Sequence, residues 1–258
     1  MRILVTNDDG IHAPGLQHLE RVAEKVGAEV WTVAPETDQS GVAHSMSLND
    51  PLRLRQLDDR RFAVRGTPTD CVLMAVRHVM PERPDLLLSG INRGQNLAED
   101  ITYSGTVAAA IEGTILGVKS IALSQAYSFA SRSQPPFETA EALAPDLIEK
   151  LASLELPKQS LLNINFPDRT PDAVEGVRVT QQGRRNIDFL TIDARNDGRR
   201  NPYYWLTYTG EMPQPDAGSD LETVRAGYIS ITPLSIDMTD AASLGAVESA
   251  LGMQGNSS

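Results

Sequence analysis

Cysteine is nearly missing from this 258-residue chain; Cys71 stands alone. One thiol closes no intrachain disulfide, so the fold must hold without staples and a reducing compartment is permitted. Zinc-type spacing is missing too. The four histidines, His12, His18, His44 and His78, share none with another ligand. Positive charge is scarce: 23 Lys and Arg against 34 Asp and Glu leave a net charge of −11. That argues against a long nucleic acid as partner, because phosphate backbones want a basic face. A small anionic substrate stays open where a metal neutralises the local field. Long apolar runs are lacking. Arg2 is followed by only Ile3, Leu4 and Val5 before Thr6, too short for a signal peptide, and nothing approaches membrane-spanning length. The expected location is the cytoplasm. No internal repeat or low-complexity block is visible. What remains, 41% hydrophobic and 22% charged, is the make-up of a globular protein that buries one large core or two modest ones.

The most informative stretch is Thr6-Asn7-Asp8-Asp9-Gly10, directly after the apolar Ile3–Val5. A buried parallel strand ending in two adjacent carboxylates puts acids where α/β sheets bind ligands. Neighbouring anions repel, and a hard divalent cation is the simplest thing to hold them together. A plain turn accounts for the same five residues, since Asn, Asp and Gly are turn formers.

The chain then alternates. Leu16, Leu19, Val22, Ala23 and Val26 form a helical stripe that stops at Gly27, and Glu29–Ala34 reads as a strand. Together with Ile3–Val5 these make a right-handed βαβ unit within about 35 residues. The polar loop Pro35–Gly41 follows. Leu52–Leu57 and Arg61–Arg65 read as a hairpin standing off the main sheet. Thr67-Pro68-Thr69-Asp70 opens a helix with Thr67 as cap, and Cys71 reads as core. Asp85–Leu88 is a buried strand running into Ser89-Gly90-Ile91-Asn92-Arg93-Gly94-Gln95-Asn96. Tyr103-Ser104-Gly105-Thr106 enters a helix through Val107–Glu112 that ends at Gly117. Free N–H groups at such an entry bind anions, with Ser104 and Thr106 as added hydroxyls, although a simple cap needs one hydroxyl only. Ser120–Ser124 and Leu161–Phe166 are strands around a Phe137–Leu151 helix. The fold expected is α/β, a Rossmann-like, doubly wound, mostly parallel sheet. Beyond Pro167 the pattern turns strand-rich: Val177–Thr180, Phe189–Ile192, Tyr203–Thr209 and Tyr228–Pro233, with Arg184-Arg185 and Arg199-Arg200 in the turns. A helix over Ala241–Leu251 and a frayed tail at Gly255–Ser258 close the chain. Two units are therefore expected, a catalytic core over residues 1–170 and an extension over 171–258.

Gathered together, the loops offer Asp8, Asp9, Ser40 and Asn92 as oxygen donors and Ser104–Thr106 as an anion cradle. Such donors suit magnesium or manganese. Beside a phosphate cradle they suit hydrolysis of a phosphate monoester, with Asp8 or Asp9 orienting a water or taking its proton. Two other readings compete. A phosphatase of the haloacid dehalogenase type forms an aspartyl phosphate, but it needs Asp-x-Asp, and residue 10 is Gly10. A non-catalytic nucleotide sensor is the other, and no Gly-x-Gly-x-x-Gly follows the first strand.

Asn7-Asp8-Asp9-Gly10, Ser40-Gly41, Gly66-Thr67-Pro68 with Asp70-Cys71, Ser89-Gly90-Ile91-Asn92 and Tyr103-Ser104-Gly105-Thr106-Val107 stand in the order in which the SurE family carries them. The chain resembles that family, and Ile231-Thr232-Pro233-Leu234 fits as well. The resemblance implies a metal-dependent 5′- and 3′-nucleotidase, with short polyphosphate as a further substrate in some members. It implies one Mg²⁺ or Mn²⁺ per subunit on Asp8, Asp9, Ser40 and Asn92, and phosphate contacts from Asn96, Ser104, Gly105 and Thr106. It also implies a C-terminal arm that builds a homodimer or homotetramer. Two positions depart from the family pattern. Gln39 replaces an expected Arg, and Ala98 an expected Gly, which strains the backbone if that position needs a positive φ.

Overall fold

The computed structural model describes residues 1–27, 29–185, 190–208 and 214–253. The first strand, β1 (Arg2–Thr6), is followed by α1 (Pro14–Val26) and β2 (Glu29–Pro35). Then come β3 (Arg53–Asp58), β4 (Arg61–Arg65), α2 (Pro68–Met74), β5 (Leu86–Arg93), α3 (Gly105–Ile115), β6 (Lys119–Gln125), α4 (Phe137–Ala152) and β7 (Ser160–Phe166). The C-terminal part holds β8 (Val177–Val179), β9 (Leu190–Asn196), β10 (Pro202–Tyr208), α5 (Asp220–Arg225), β11 (Ile229–Ser235) and α6 (Ala241–Ala250). The described strands form one nine-stranded sheet in the order β3-β4-β2-β1-β5-β6-β7-β11-β8, and a separate β9–β10 hairpin.

Alternation along the central strands explains the layers. Ile3 and Val5, Leu86 and Leu88, and Ile121 and Leu123 face one side, where they pack with Leu16 and Leu19 of α1 and Ala144 and Ile148 of α4. Leu4, Leu87 and Ala122 face the other, against Cys71 and Val72 of α2 and Val107 and Ala110 of α3. Both faces are covered, which is why these strands read as unbroken apolar runs. Cys71 lies in this core, as its apolar neighbours imply.

The sheet order reverses at β1. Strand β2 lies on one side of β1 and β5 on the other, all parallel. A crevice opens at the carboxyl ends of strands at such a reversal, and ligands bind there. Asp8 and Asp9 leave one lip of it, and Asn92, at the end of β5, stands on the other.

One expectation needs correction. The β3–β4 hairpin does not stand off the sheet. Strand β4 pairs parallel with β2, Thr32–Pro35 against Arg61–Val64, because Phe62, Ala63 and Val64 are apolar enough to be buried within it. The helix expected over Ala241–Leu251 is present as α6, capped by Asp240, with every one of its residues exposed. Strands β8 and β11 extend the main sheet, β11 antiparallel to β7 and β8 parallel to β11. The expected strand residues Phe189 and Thr209, and the Gly255–Ser258 tail, lie outside the described residues.

Candidate active site

The acidic loop is tied to the loop after β2. Ile11 N–H donates to the Pro35 carbonyl at 2.7 Å, and Gln39 N–H to the Asp8 carbonyl at 2.8 Å. Gly10, at φ +100°, lets the loops touch, since a Cβ there would meet the Thr37 carbonyl carbon at 3.2 Å. This packing brings Asp38 near the acids, with exposed Ser40 bonded to it. The Ser40 hydroxyl and N–H both donate to Asp38 Oδ1, at 2.6 and 2.8 Å. Gln39 reaches the site through its backbone, and its side-chain amide contacts Thr37 at 3.4 Å.

Asp8 is buried, and burial pushes its carboxyl up to about 7, with the neighbouring Asp9 adding to the rise and Asp38 contributing less. The Thr106 hydroxyl, donating to Asp8 Oδ1 at 2.5 Å, opposes the rise. The Asp9 carboxyl is also raised, first by burial and then by Asp38. The Arg93 N–H, donating to Asp9 Oδ2 at 3.1 Å, and the Arg93 charge both pull it down. Asn92 follows a step in register. Ser89 pairs with Ala122 of β6, and the next pair is Asn92 with Ser124. The Asn92 amide Nδ2 donates to the Gly94 carbonyl at 2.8 Å.

At the entry to α3 the two hydroxyls divide the work. Ser104 Oγ caps the helix, accepting from Val107 N–H at 3.1 Å, while Thr106 holds Asp8. First-turn N–H groups have no partner inside a helix, and those of Gly105 and Thr106 open α3 beside Asp8. Gly105 is required for the approach of α3 to the acids. A Cβ there would sit 2.7 Å from Asp8 Cβ, 3.0 Å from Asp8 Oδ2 and 3.1 Å from Pro68 Cγ.

Asn96 is buried in an amide network. Its N–H donates to Asn165 Oδ1 at 2.8 Å and its Nδ2 to Ser124 Oγ at 2.9 Å. Its carbonyl accepts from Asn163 and Asn165 at 2.8 and 3.1 Å. Asn163 and Asn165 went unnoticed in the sequence. Polar residues at alternate positions of the otherwise apolar β7 were the signal. Asp38 lies in the polar loop Pro35–Gly41, of which the sequence singled out only Ser40 as a donor. Ala98 does adopt a positive φ, +53°, held by its N–H to Asp220 Oδ2 at 2.9 Å and by Gln182 donating to its carbonyl at 3.0 Å. Gly66-Thr67-Pro68 with Asp70 is a capping box: Thr67 accepts from Asp70 N–H, and Asp70 from Thr67 N–H at 2.8 Å. Its place is structural, setting α2 beside α3. His44 lies near Glu112 of α3 at 3.0 Å, whereas His12 is exposed and His18 pairs with Glu141 away from the site.

Among the described residues no three His, Cys, Asp or Glu side chains form a metal-binding group. The donors expected from the sequence, two carboxylates with neutral hydroxyl and amide oxygens, lie on β5 and on the loops after β1 and β2. They suit a hard cation, because burial raises both carboxyls, Asp9 adds to the rise at Asp8, and among the described residues no lysine or arginine side chain is bonded to either.

Residues 3–188 match the family Survival protein SurE. A curated protein of Azorhizobium caulinodans, 5'-nucleotidase SurE, is 59% identical over 241 residues, covering 93% of this chain and 94% of that one. The protein of the same name from Bradyrhizobium diazoefficiens is 54% identical over 97% of this chain and 100% of its own. The crystal structure of the SurE protein from Aquifex aeolicus superposes with a TM-score of 0.86 at 36% identity, covering 97% of this chain and all of that one. Sequence motifs, sheet order and these comparisons agree: the chain belongs to the SurE family.

Proposed function

We propose that this chain is a metal-dependent phosphatase that hydrolyses nucleoside 5′-monophosphates, and 3′-monophosphates with them, to nucleoside and phosphate. The observation that carries the reading is the buried Asp8, with half-buried Asp9 beside it, set against the N-terminus of α3. Relatives named 5'-nucleotidase, more than half identical over nearly the whole chain, support it.

Asp8, Asp9, Ser40 and Asn92 would hold one Mg²⁺ or Mn²⁺. When bound, such a cation offsets the carboxylate charge and polarises a phosphoryl oxygen. The remaining work falls to the chain itself. Gly105 and Thr106 direct N–H groups toward the phosphate, helped by the helix dipole. Thr106 fixes the Asp8 carboxylate by its Oδ1. Arg93 N–H fixes Asp9 by Oδ2, leaving Oδ1 without a protein donor to orient a water and accept its proton. Asn96, locked by Ser124 and Asn165, positions the loop between β5 and α3 rather than leaving it to adapt. An aspartyl-phosphate route lacks its second acid, since Gly10 occupies that position. Short polyphosphate is a further substrate in this reading.

We assign residues 1–170 to catalysis and 171–258 to assembly, in a homodimer or homotetramer. No described helix is long and apolar enough to cross a membrane, and we place the protein in the cytoplasm. The deciding experiment is phosphate release from AMP. Chelator should abolish it, and added Mn²⁺ or Mg²⁺ should restore it. Release that survives complete chelation, or no release with any divalent metal, would overturn the assignment.

A further inference from the structure

Next to the strand ends that carry Asp9 and Asn92 is a cavity of about 440 Å³, lined by Arg93, Tyr127, Ser128, Phe129 and Arg132. That volume is in the range of small-molecule sites. Arg93 directly follows Asn92, and its backbone N–H holds Asp9, so cavity and acidic site share one peptide. The Tyr127 ring borders Gly94, where a Cβ would lie 3.4 Å from Cε1.

The far wall is the loop after β6, and it is pinned. Ser128 N–H donates to Asp168 Oδ2 at 3.0 Å and to Ser131 Oγ at 2.9 Å. Ser131 Oγ lies 2.9 Å from both Asp168 oxygens. This fixed loop presents Phe129 with 85% of its surface exposed and Tyr127 with 37%. Each ring has a guanidinium beside it. Arg132 Cζ is 5.1 Å from the Phe129 centroid, and Arg93 Cζ is 5.7 Å from that of Tyr127. Arg93 is steadied by donating to the Arg132 carbonyl at 2.6 Å. Among the described residues neither guanidinium forms a contact ion pair, although the Arg93 charge acts on Asp9, in a chain whose net charge is −11.

We propose that this cavity is the subsite for the base of the nucleotide: a purine or pyrimidine stacks on Phe129 and Tyr127 while Arg93 and Arg132 donate to its ring nitrogens and carbonyls. The proposal rests on the phosphatase reading above and adds to it the part of the substrate that the metal and phosphate groups leave unrecognised. Exposed rings on a rigid loop are what a flat π-system needs, and arginine beside them strengthens the stack. A second phosphate would use the arginines but not the rings.

The test compares AMP with ribose 5-phosphate, which keeps the phosphate and sugar and lacks the base. In the unmodified protein kcat/KM should favour AMP at least about tenfold, the scale of one base on one aromatic ring. Phe129→Ala should cut that ratio about tenfold and weaken AMP binding, measured by calorimetry, to a similar degree. Phe129→Trp should restore both, which separates stacking from misfolding. Arg132→Gln should lower the same ratio. An unchanged ratio in Phe129→Ala and Arg132→Gln, or no preference for AMP at the outset, would overturn the subsite. So would a selective loss on tripolyphosphate with AMP untouched. If the unmodified protein hydrolysed neither ester, the phosphatase reading itself would fail. Calorimetry would still decide whether Phe129 holds AMP.

Discussion

Asp8 illustrates how a single side chain trades stability for function. Its folded pKa of about 7 lies above the unfolded value of 3.8. The native state therefore binds this proton more tightly than the unfolded chain. Stability from this group is complete below pH 4 and is lost as pH rises to about 7. The metal-free protein should accordingly weaken across that window, by at most about 4 kcal/mol from this residue. Asp8→Asn keeps the shape and removes the charge. It should melt higher than the unmodified metal-free protein at pH 8, melt alike at pH 4, and lose activity by at least about a hundredfold at every pH. Thermal melts at both pH values check the first part, phosphate release the second. A variant that melted no higher at pH 8 would show that the carboxylate is not strained by burial. The same chemistry makes metal affinity pH-dependent, because the ligand must be deprotonated to bind. Binding of Mn²⁺ should tighten as pH rises from 6 to 8 and release a proton below pH 7, which calorimetry in buffers of different ionisation enthalpy reports.

At the scale of elements, three residues at the entry to α3 supply the cap, the proposed anion cradle and the hydroxyl that holds Asp8. Gly105→Ala adds a methyl 2.7 Å from Asp8 Cβ, and neither Asp8 nor Pro68 can move away cheaply. It should leave a folded protein that turns over AMP at least about a hundredfold more slowly, since a displacement near 1 Å at a reacting group costs that much. Ser104→Ala is different. The hydroxyl that the sequence offered as a phosphate donor caps Val107, so its removal should cost about 1 kcal/mol of stability. That is a melting temperature lower by about 3 °C in a chain of this size. Equal melting temperatures would leave Ser104 free to serve the ligand alone. Much of this was legible beforehand. The βαβ unit, the acids at the strand end and the capping box are local, and periodicity and turn chemistry reveal local things. What pairs across the chain was not. Nothing near Asn96 announces Asn163 and Asn165, and β4 joins β2 through residues that read equally well as a detached hairpin. The paired hydroxyls of Ser104 and Thr106 were visible, but which one caps and which one binds Asp8 is decided by packing.

For the whole molecule, the distribution of exposed apolar surface decides the argument. The central strands of the sheet are covered on both faces by helices, yet the C-terminal part leaves Ile192, Tyr204, Trp205 and Leu206 in the open on the β9–β10 hairpin. Trp205 is 57% and Leu206 71% exposed, and they point to opposite faces of the ribbon. An isolated two-stranded hairpin is marginal in water, and one apolar on both faces wants cover on both. Leu244 and Val247 of α6 are likewise bare. A second copy of the chain is the partner that fits the arm proposed for residues 171–258, because it is present whenever the protein is and supplies a matching apolar surface by symmetry. Light scattering at micromolar concentration should then give a multiple of the 28.0 kDa chain mass. Replacing both hairpin anchors, Trp205→Ala with Leu206→Asp, should shift the protein to monomer without unfolding it, because neither side chain belongs to the sheet's core. A monomer before substitution, or an unchanged assembly after it, would show that the hairpin has another purpose. Loss of phosphate release on dissociation would add a further point: the two-stranded arm would then be holding the neighbouring subunit's site in order as well as joining the subunits.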